Sequence, residues 1–261
     1  MTQPPADAAP GPADAASPLG SVDKALLALD ALARAGASGV SLAAIAVEVG
    51  ANKSTLHRTL AALRHRGYAE QDEAGTYRLG PAAVALGTAY LAEDNLPALL
   101  RPALEALRDE VDELVHLGVR AGSEVVYLDK VEPQRPLRVW SAVGRRIPAA
   151  TTALGRALLA AGPDDDATLD RLAADGAASR LRAAVRDARA QGYADETEEN
   201  EPGIACVAVA ILRAGRPVGA VSITAPVERM TGAARAARVT ALRELLPTVL
   251  PTGLTVPPPV T

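Results

Sequence analysis

Residues 51–68 read ANKSTLHRTLAALRHRGY, with four Lys/Arg and two His in eighteen positions and not one Asp or Glu. The chain around them is acidic, carrying a formal net charge of −4 over 261 residues. Residues 21–80 hold seven Lys/Arg against six Asp/Glu, and four of those seven lie between Lys53 and Arg66. A chain that gathers positive charge on one short segment presents a local surface to a polyanion. Charge alone is equally consistent with a solvated helix face, so the decision rests on the pattern.

Within the segment, Leu56, Leu60 and Leu63 recur at helical spacing and predict a buried stripe. Lys53, Ser54, Thr55, His57, Arg58 and Ala61 are left facing outward. These are the residue types that reach phosphates and base edges from a helix lying in a major groove. Asn52 is the expected N-cap, and the helix N-terminus adds N–H groups for a phosphate. Upstream, Ser41 caps a short helix carrying Leu42, Ile45 and Val49, and Gly50 stands where a positive φ is wanted. Earlier still, Ser21 is expected to cap a first helix with Val22, Leu26, Leu29 and Leu32 at helical spacing, broken by GASG at 36–39. Downstream, YAEQDEAGTYRLG at 68–80 predicts two short strands, 68–70 and 76–79, around a Gly-containing turn at 72–75. Short helix, tight turn, basic helix and hairpin make a winged helix-turn-helix over 20–80. Its wing tip, Asp72-Glu73, is acidic, so Arg78 on the return strand is the candidate for a DNA backbone contact.

About half of the residues are apolar (49%), enough for real cores, but there is no Phe, so Leu, Val, Ile and Ala must pack them. One cysteine, Cys206, excludes an internal disulfide and suits a reducing compartment. The stretch 1–19 has neither a basic nor an apolar signal region and reads as a disordered leader, and 250–261 as a disordered tail. No apolar run approaches the roughly 20 residues that span a bilayer, so a soluble cytoplasmic protein without a membrane partner is expected. His57, His65 and His116 show no metal-ligand spacing. With no phosphate-binding glycine loop or nucleophile elbow either, neither cofactor nor metal is expected.

Pro81 suits the first position of a linker helix, 81–99, followed by an amphipathic helix with Leu104, Leu107 and Val111. Strands are expected at 114–119, 124–130 and 137–142, and helices near 152–161, 164–174 and 178–190. A hairpin over 205–213 and 217–224 and a helix with Leu242, Leu245 and Leu246 complete a domain at 100–249. Antiparallel strands with helices on one side give an α+β class. Strand alternation puts Val207, Val209, Ile211, Val221 and Ile223 on one face of the hairpin. Cys206, Ala208, Ala210, Ala220, Ser222 and Thr224 share the other. A face of small residues leaves volume, either for a ligand or for a large side chain such as Trp140. The acidic run DETEEN at 195–200 reads as a solvated loop.

At this point the sequence resembles the IclR family of bacterial transcriptional regulators. The resemblance lies in SVDKALLALDAL, in SLAAIAVEVGANKSTLHRTLAALRHRGYAEQDEAGTYRLG, and then in VVYLDKVE, VGRRIPAATTALGRALLA, ENEPGIACVAVAI and GAVSITAP, in that order. It covers roughly residues 21–248. One departure is Ala205, where the family has a basic residue before the cysteine. The resemblance implies a GAF-like effector-binding domain, with Ala153, Leu154, Glu196, Cys206, Ser222 and Thr224 at ligand-contacting positions. The expected protein is a repressor that binds a pseudo-palindromic operator in double-stranded DNA as a homodimer or tetramer. A small organic acid is the expected effector, its carboxylate at the first N–H groups of a helix capped by Thr151 or Thr152. Leu26, Val84 and Leu91 are candidate dimer contacts. The rival reading is an enzyme that uses the cavity catalytically, against which stands the missing catalytic constellation.

Overall fold

The computed structural model describes residues 20–93, 95–136 and 139–260. The leader expected at 1–19 lies outside them. The chain divides into two compact units, one ending at Asn95 and the other starting at Leu96.

In the first unit the helices are α1 (Gly20–Ala35), α2 (Leu42–Glu48), α3 (Lys53–His65) and α4 (Pro81–Glu93). The strands are β1 (Val40–Ser41), β2 (Ala69–Gln71) and β3 (Thr76–Leu79), in the order β1-β3-β2. Side-chain caps start the two inner helices as expected. Ser41 Oγ accepts from Ala44 N–H at 3.2 Å, and Asn52 Oδ1 accepts from Thr55 N–H at 2.8 Å. Ala28, Leu32, Ile45, Leu56, Leu60 and Tyr77 form the core. The first helix departs from expectation, because it already starts at Gly20 and Ser21 lies inside it. It packs through Ala28, Ala31 and Leu32, leaving Val22 and Leu26 exposed. Small alanines let α1 approach the core more closely than the predicted Val/Leu stripe would. The wing closes against the end of α3 at Gly80, where a Cβ would stand 2.2 Å from the Gly67 carbonyl oxygen.

The helix begun at Pro81 stops at Glu93, short of the expected 99, and α5 (Leu96–Val111) opens the second unit. Pro97 in its first turn explains the break, since a proline has no N–H to continue a preceding helix but fits the start of a new one. The remaining strands are β4 (Leu114–Ala121), β5 (Glu124–Val131), β6 (Arg146–Pro148), β7 (Ala194–Thr197), β8 (Ile204–Arg213), β9 (Arg216–Pro226) and β10 (Leu254–Thr255). The helices are α6 (Ala153–Ala161), α7 (Asp166–Leu172), α8 (Ala178–Gln191), α9 (Gly232–Thr240) and α10 (Leu246–Val249). Among the described residues the strands form one antiparallel sheet, β10-β8-β9-β4-β5-β6, with β7 also paired to β8.

Three expectations change here. Helices cover both sides of the sheet, not one. The bulky face, with Val207, Val209, Val221 and Ile223, packs on α5 and on Leu242 and Leu246, whereas Ala208, Ala210 and Ala220 pack on α6 and α8. Residues 139–142 of the expected strand 137–142 are irregular, and the third strand of that corner is β6. The tail, expected to be disordered, adds β10 beside Leu212 and Arg213, with Leu254 buried, and Val260 N–H reaches the Arg189 carbonyl oxygen at 3.1 Å. Leu254 gives that segment an apolar anchor which its proline-rich composition hides.

Candidate functional site

Helix α3 leaves Lys53, Ser54, His57 and Arg58 exposed and Thr55 half-buried, while Leu56 and Leu60 are buried. Two of these also serve the cap: Ser54 Oγ donates to Asn52 Oδ1 at 2.9 Å, and Thr55 N–H donates to the same oxygen. Lys53, His57 and Arg58 therefore carry the free side-chain chemistry of the first turns. The wing is tied to the helix by Arg64 Nη1 donating to Gln71 Oε1 at 2.7 Å. Arg78 is exposed and lies 3.0 Å from Asp72 Oδ2, so a phosphate there competes with a carboxylate of the wing itself.

In the second unit, strand pairing gathers residues far apart in sequence. Glu196, Cys206, Thr224 and Leu114 are successive cross-strand partners in one row. Ala194, Ala208, Ser222, His116 and Lys130 form the next. The result is a buried polar cluster beside Ala194, Ala208, Ala210 and Ala220 of β7, β8 and β9. His116 Nε2 pairs with Ser141 Oγ at 2.6 Å, and its Nδ1 lies 3.3 Å from Thr224 Oγ1. Thr224 Oγ1 is also 3.3 Å from Cys206 Sγ. The Tyr127 ring stacks on His116, centroids 4.3 Å apart. His116, Ser141, Glu196, Ser222 and Thr224 are all buried.

Burial sets the charge states. It lowers the His116 pKa to about 3, helped by the nearby Lys130 and Arg145 cations. It also pushes the Glu196 carboxyl and the Cys206 thiol up from their ordinary values. The cluster therefore offers hydroxyls, an uncharged thiol and imidazole, and the Glu196 carboxyl beside two cations.

Four of the six expected effector residues, Glu196, Cys206, Ser222 and Thr224, meet here. Leu154 and Ala153 begin α6 over the same face, with Leu154 Cδ1 3.2 Å from where a Cβ on Gly118 would stand. The cap of α6 is Thr152, whose Oγ1 accepts from Gly155 N–H at 3.3 Å. Gly155 is obligatory, because a Cβ would stand 2.1 Å from the Ala149 carbonyl oxygen. Trp140 does not fill the small-residue face; it is 71% exposed, beside Arg145. Residues 195–197 belong to a strand and Glu196 is only 4% exposed, which corrects the reading of 195–200 as a solvated loop. Ala205 lies in the opposite, aliphatic layer, so the charge missing there does not touch the cluster. His116, Tyr127 and Ser141 escaped the sequence reading. Extending the alternation from the last hairpin to β4 would have placed His116 on the small-residue face.

Two family models match the chain. That described as the IclR helix-turn-helix domain covers residues 21–73, and that of the bacterial transcriptional regulator IclR C-terminal covers residues 88–247. The chain belongs to the IclR family. It is a DNA-binding transcriptional regulator of that family, with the expected helix-turn-helix and antiparallel-sheet domains. Among its IclR-family relatives, the HTH-type transcriptional regulator BhcR of Paracoccus denitrificans is 34% identical over 81% of this chain and 79% of its own. The transcriptional repressor IclR of Escherichia coli is 28% identical over 81% of each. A similar fold is found in an IclR homolog from Microbacterium hydrocarbonoxydans crystallised with 4-hydroxybenzoate (TM-score 0.64, 21% identity, 85% of this chain and 97% of that one). No helix among the described residues is long and apolar enough to cross a membrane.

Proposed function

We propose that this regulator is a cytoplasmic repressor whose operator affinity is switched by a small organic acid bound at the polar cluster of the second unit. The observation that carries the reading is that cluster itself. Buried polar side chains cost stability unless they are satisfied. Packing beside Ala194, Ala208, Ala210 and Ala220 does not call for the polar groups of His116, Glu196, Ser222 and Thr224, nor for Ser141 reaching in from its loop. An acid suits the surroundings, since Lys130 and Arg145 lie close enough to act on His116 and the first N–H groups of α6, at Ala153 and Leu154, face the same region. Glu196, whose carboxyl burial pushes up from its ordinary value, calls for a donor on the ligand as well. The Microbacterium relative, solved with an aromatic acid, and the Escherichia coli relative, named a repressor, support the same choice.

Lys53, Ser54, Thr55, His57 and Arg58, with Arg78 on the wing, contact the operator in this reading. One winged helix reads few base pairs, so two copies on a pseudo-palindrome are required, in a dimer or tetramer. Leu26 and Val84 are 57% and 69% exposed and supply apolar contacts for that assembly; the side chain of Leu91 lies outside the described residues. The ligand acts on DNA only by binding two conformations unequally, for which a coupling of about 1–3 kcal/mol is typical. The rival enzyme would have to use the Ser141–His116 pair, but an imidazole with a pKa of about 3 is too weak a base at neutral pH to activate the serine.

The two sites are tested together. Arg58→Ala should cost about 1–3 kcal/mol in operator binding if it reads a guanine, or lower the log–log salt slope by about 0.9 if it holds a phosphate. Ser222→Leu should abolish the thermal shift given by a confirmed effector while leaving ligand-free operator binding near normal. Unchanged operator binding by the first variant, or wild-type effector affinity in the second, would assign that function elsewhere.

A further inference from the structure

A cavity of about 370 Å3 opens between α6, the start of α8 and the loop after β7; none of the six candidate effector residues lines it. One wall is aliphatic, made by Ala173, Ala177 and Leu181. The other carries two charges of each sign, on Arg156, Arg180, Glu198 and Glu199.

The Arg156 side chain is only 5% exposed and is fully engaged. It donates to Glu199 through both terminal nitrogens (2.9 and 2.6 Å), to the Asp195 carbonyl at 2.9 Å and to the Ala150 carbonyl at 3.1 Å. Arg180 differs: its side chain is 68% exposed and its nearest approach to Glu199 is 3.7 Å, too long for a hydrogen bond. Glu198 sits at φ 57°, one of three non-glycine residues with positive φ among those described, and such strain collects at binding sites.

These charges discriminate between ligand classes. A plain anion would have either to break the buried Arg156–Glu199 pair, which leaves a buried charge without a partner, or to rely on a single exposed arginine. A plain cation would meet Arg180. A zwitterion satisfies both signs at once, with its carboxylate on Arg180, its ammonium beside Glu198 and Glu199, and its side chain on the alanine and leucine wall. We propose that this cavity is a second ligand site, for a zwitterion of the α-amino-acid class with an aliphatic side chain. The ligand also has a route to the first site: Glu199 N–H donates to Glu196 Oε2 at 3.1 Å, so a ligand drawing on Glu199 shifts the carboxyl of the polar cluster. Only this coupling rests on the effector reading; the site itself does not.

Calorimetry of the full chain tests it, with L-leucine as probe and 4-methylpentanoate and isoamylamine as the two singly charged halves of that probe. Saturable leucine binding is expected, with the Arg180-dependent binding of each half at least about tenfold weaker. Arg180→Ala, a surface change, should weaken leucine binding about tenfold or more, whereas Ser222→Leu should leave it unchanged. No leucine binding up to about 10 mM would overturn the proposal. So would 4-methylpentanoate binding as tightly as leucine and losing that affinity in Arg180→Ala, which would mark an anion site in this cavity. Leucine binding lost in Ser222→Leu but kept in Arg180→Ala would also overturn it, by placing the probe at the polar cluster.

Discussion

The two units put their polar chemistry in opposite places. In the first, the core is a small set of apolar side chains around Leu56 and Leu60, and the candidate DNA-contacting groups stand outside it, all but Arg78 on consecutive turns of one helix. In the second, the polar groups are inside, supplied by strands β4, β7, β8 and β9 and the loop at Ser141, and held beneath α6. A DNA surface must be presented to a large rigid partner. A small-molecule site must enclose its ligand, and its residues consequently answer for both stability and binding. Substitutions should therefore separate cleanly in the first unit and mix in the second.

The largest expected effect tests that separation. Leu56→Ala removes a fully buried side chain and should cost about 2–5 kcal/mol in urea denaturation of the first unit. Effector affinity measured by calorimetry should stay the same; a parallel loss would mean that the units share one fate.

The next concerns pH and only the second unit. In the unfolded chain His116 titrates near its ordinary 6.5, whereas folded it does so at about 3. As pH falls below 6.5 the unfolded state takes up a proton that the folded state refuses, so stability present above 6.5 is lost toward 3. The loss approaches about 1.4 kcal/mol per pH unit. Between pH 7 and 5, wild type should lose about 2 kcal/mol relative to His116→Gln, read as the difference between their urea midpoints multiplied by the slope. Parallel pH profiles would show that His116 is not buried as described.

The smallest effect concerns how the DNA surface is held. Asn52→Ala should cost about 1 kcal/mol of stability, and Asn52→Gly only a few tenths. Because Ser54 and Thr55 both bond Asn52 Oδ1, operator affinity should follow the same order in a gel-shift titration. Equal affinity for the two variants would detach the cap from the interface.

The same contrast explains what could be read from the sequence. The first unit is built from local signals: Ser41 and Asn52 cap the helices they immediately precede, and Gly50 takes its positive φ (62°) where the turn needs it. The hairpin face was also legible, since alternation within β8 and β9 is local. What was missed is non-local. His116 joins Ser222 only through the β4–β9 register, and Ser141 reaches His116 from a loop without period. Glu196 sat in an acidic run whose composition says loop, yet pairing with Cys206 makes it strand. The stripe of α1 failed in part for another reason: Leu32 is buried as expected, but Ala28 and Ala31 pack more closely than Leu26, and hydrophobicity alone ranks them the other way.

The pairing of β8 has one more consequence. Its side away from β9 is taken by β7 over residues 205–208 and by β10 at 212–213, so two short, unrelated segments share the task of shielding it. A strand with an open side is a template for a neighbouring chain. The last residues of the sequence thus act as a guard against self-association. A chain cut before Leu254 should keep its DNA-reading helix and yet form larger species in light scattering, growing with concentration, while a tag fused after Thr261 should leave the protein as dispersed as it was.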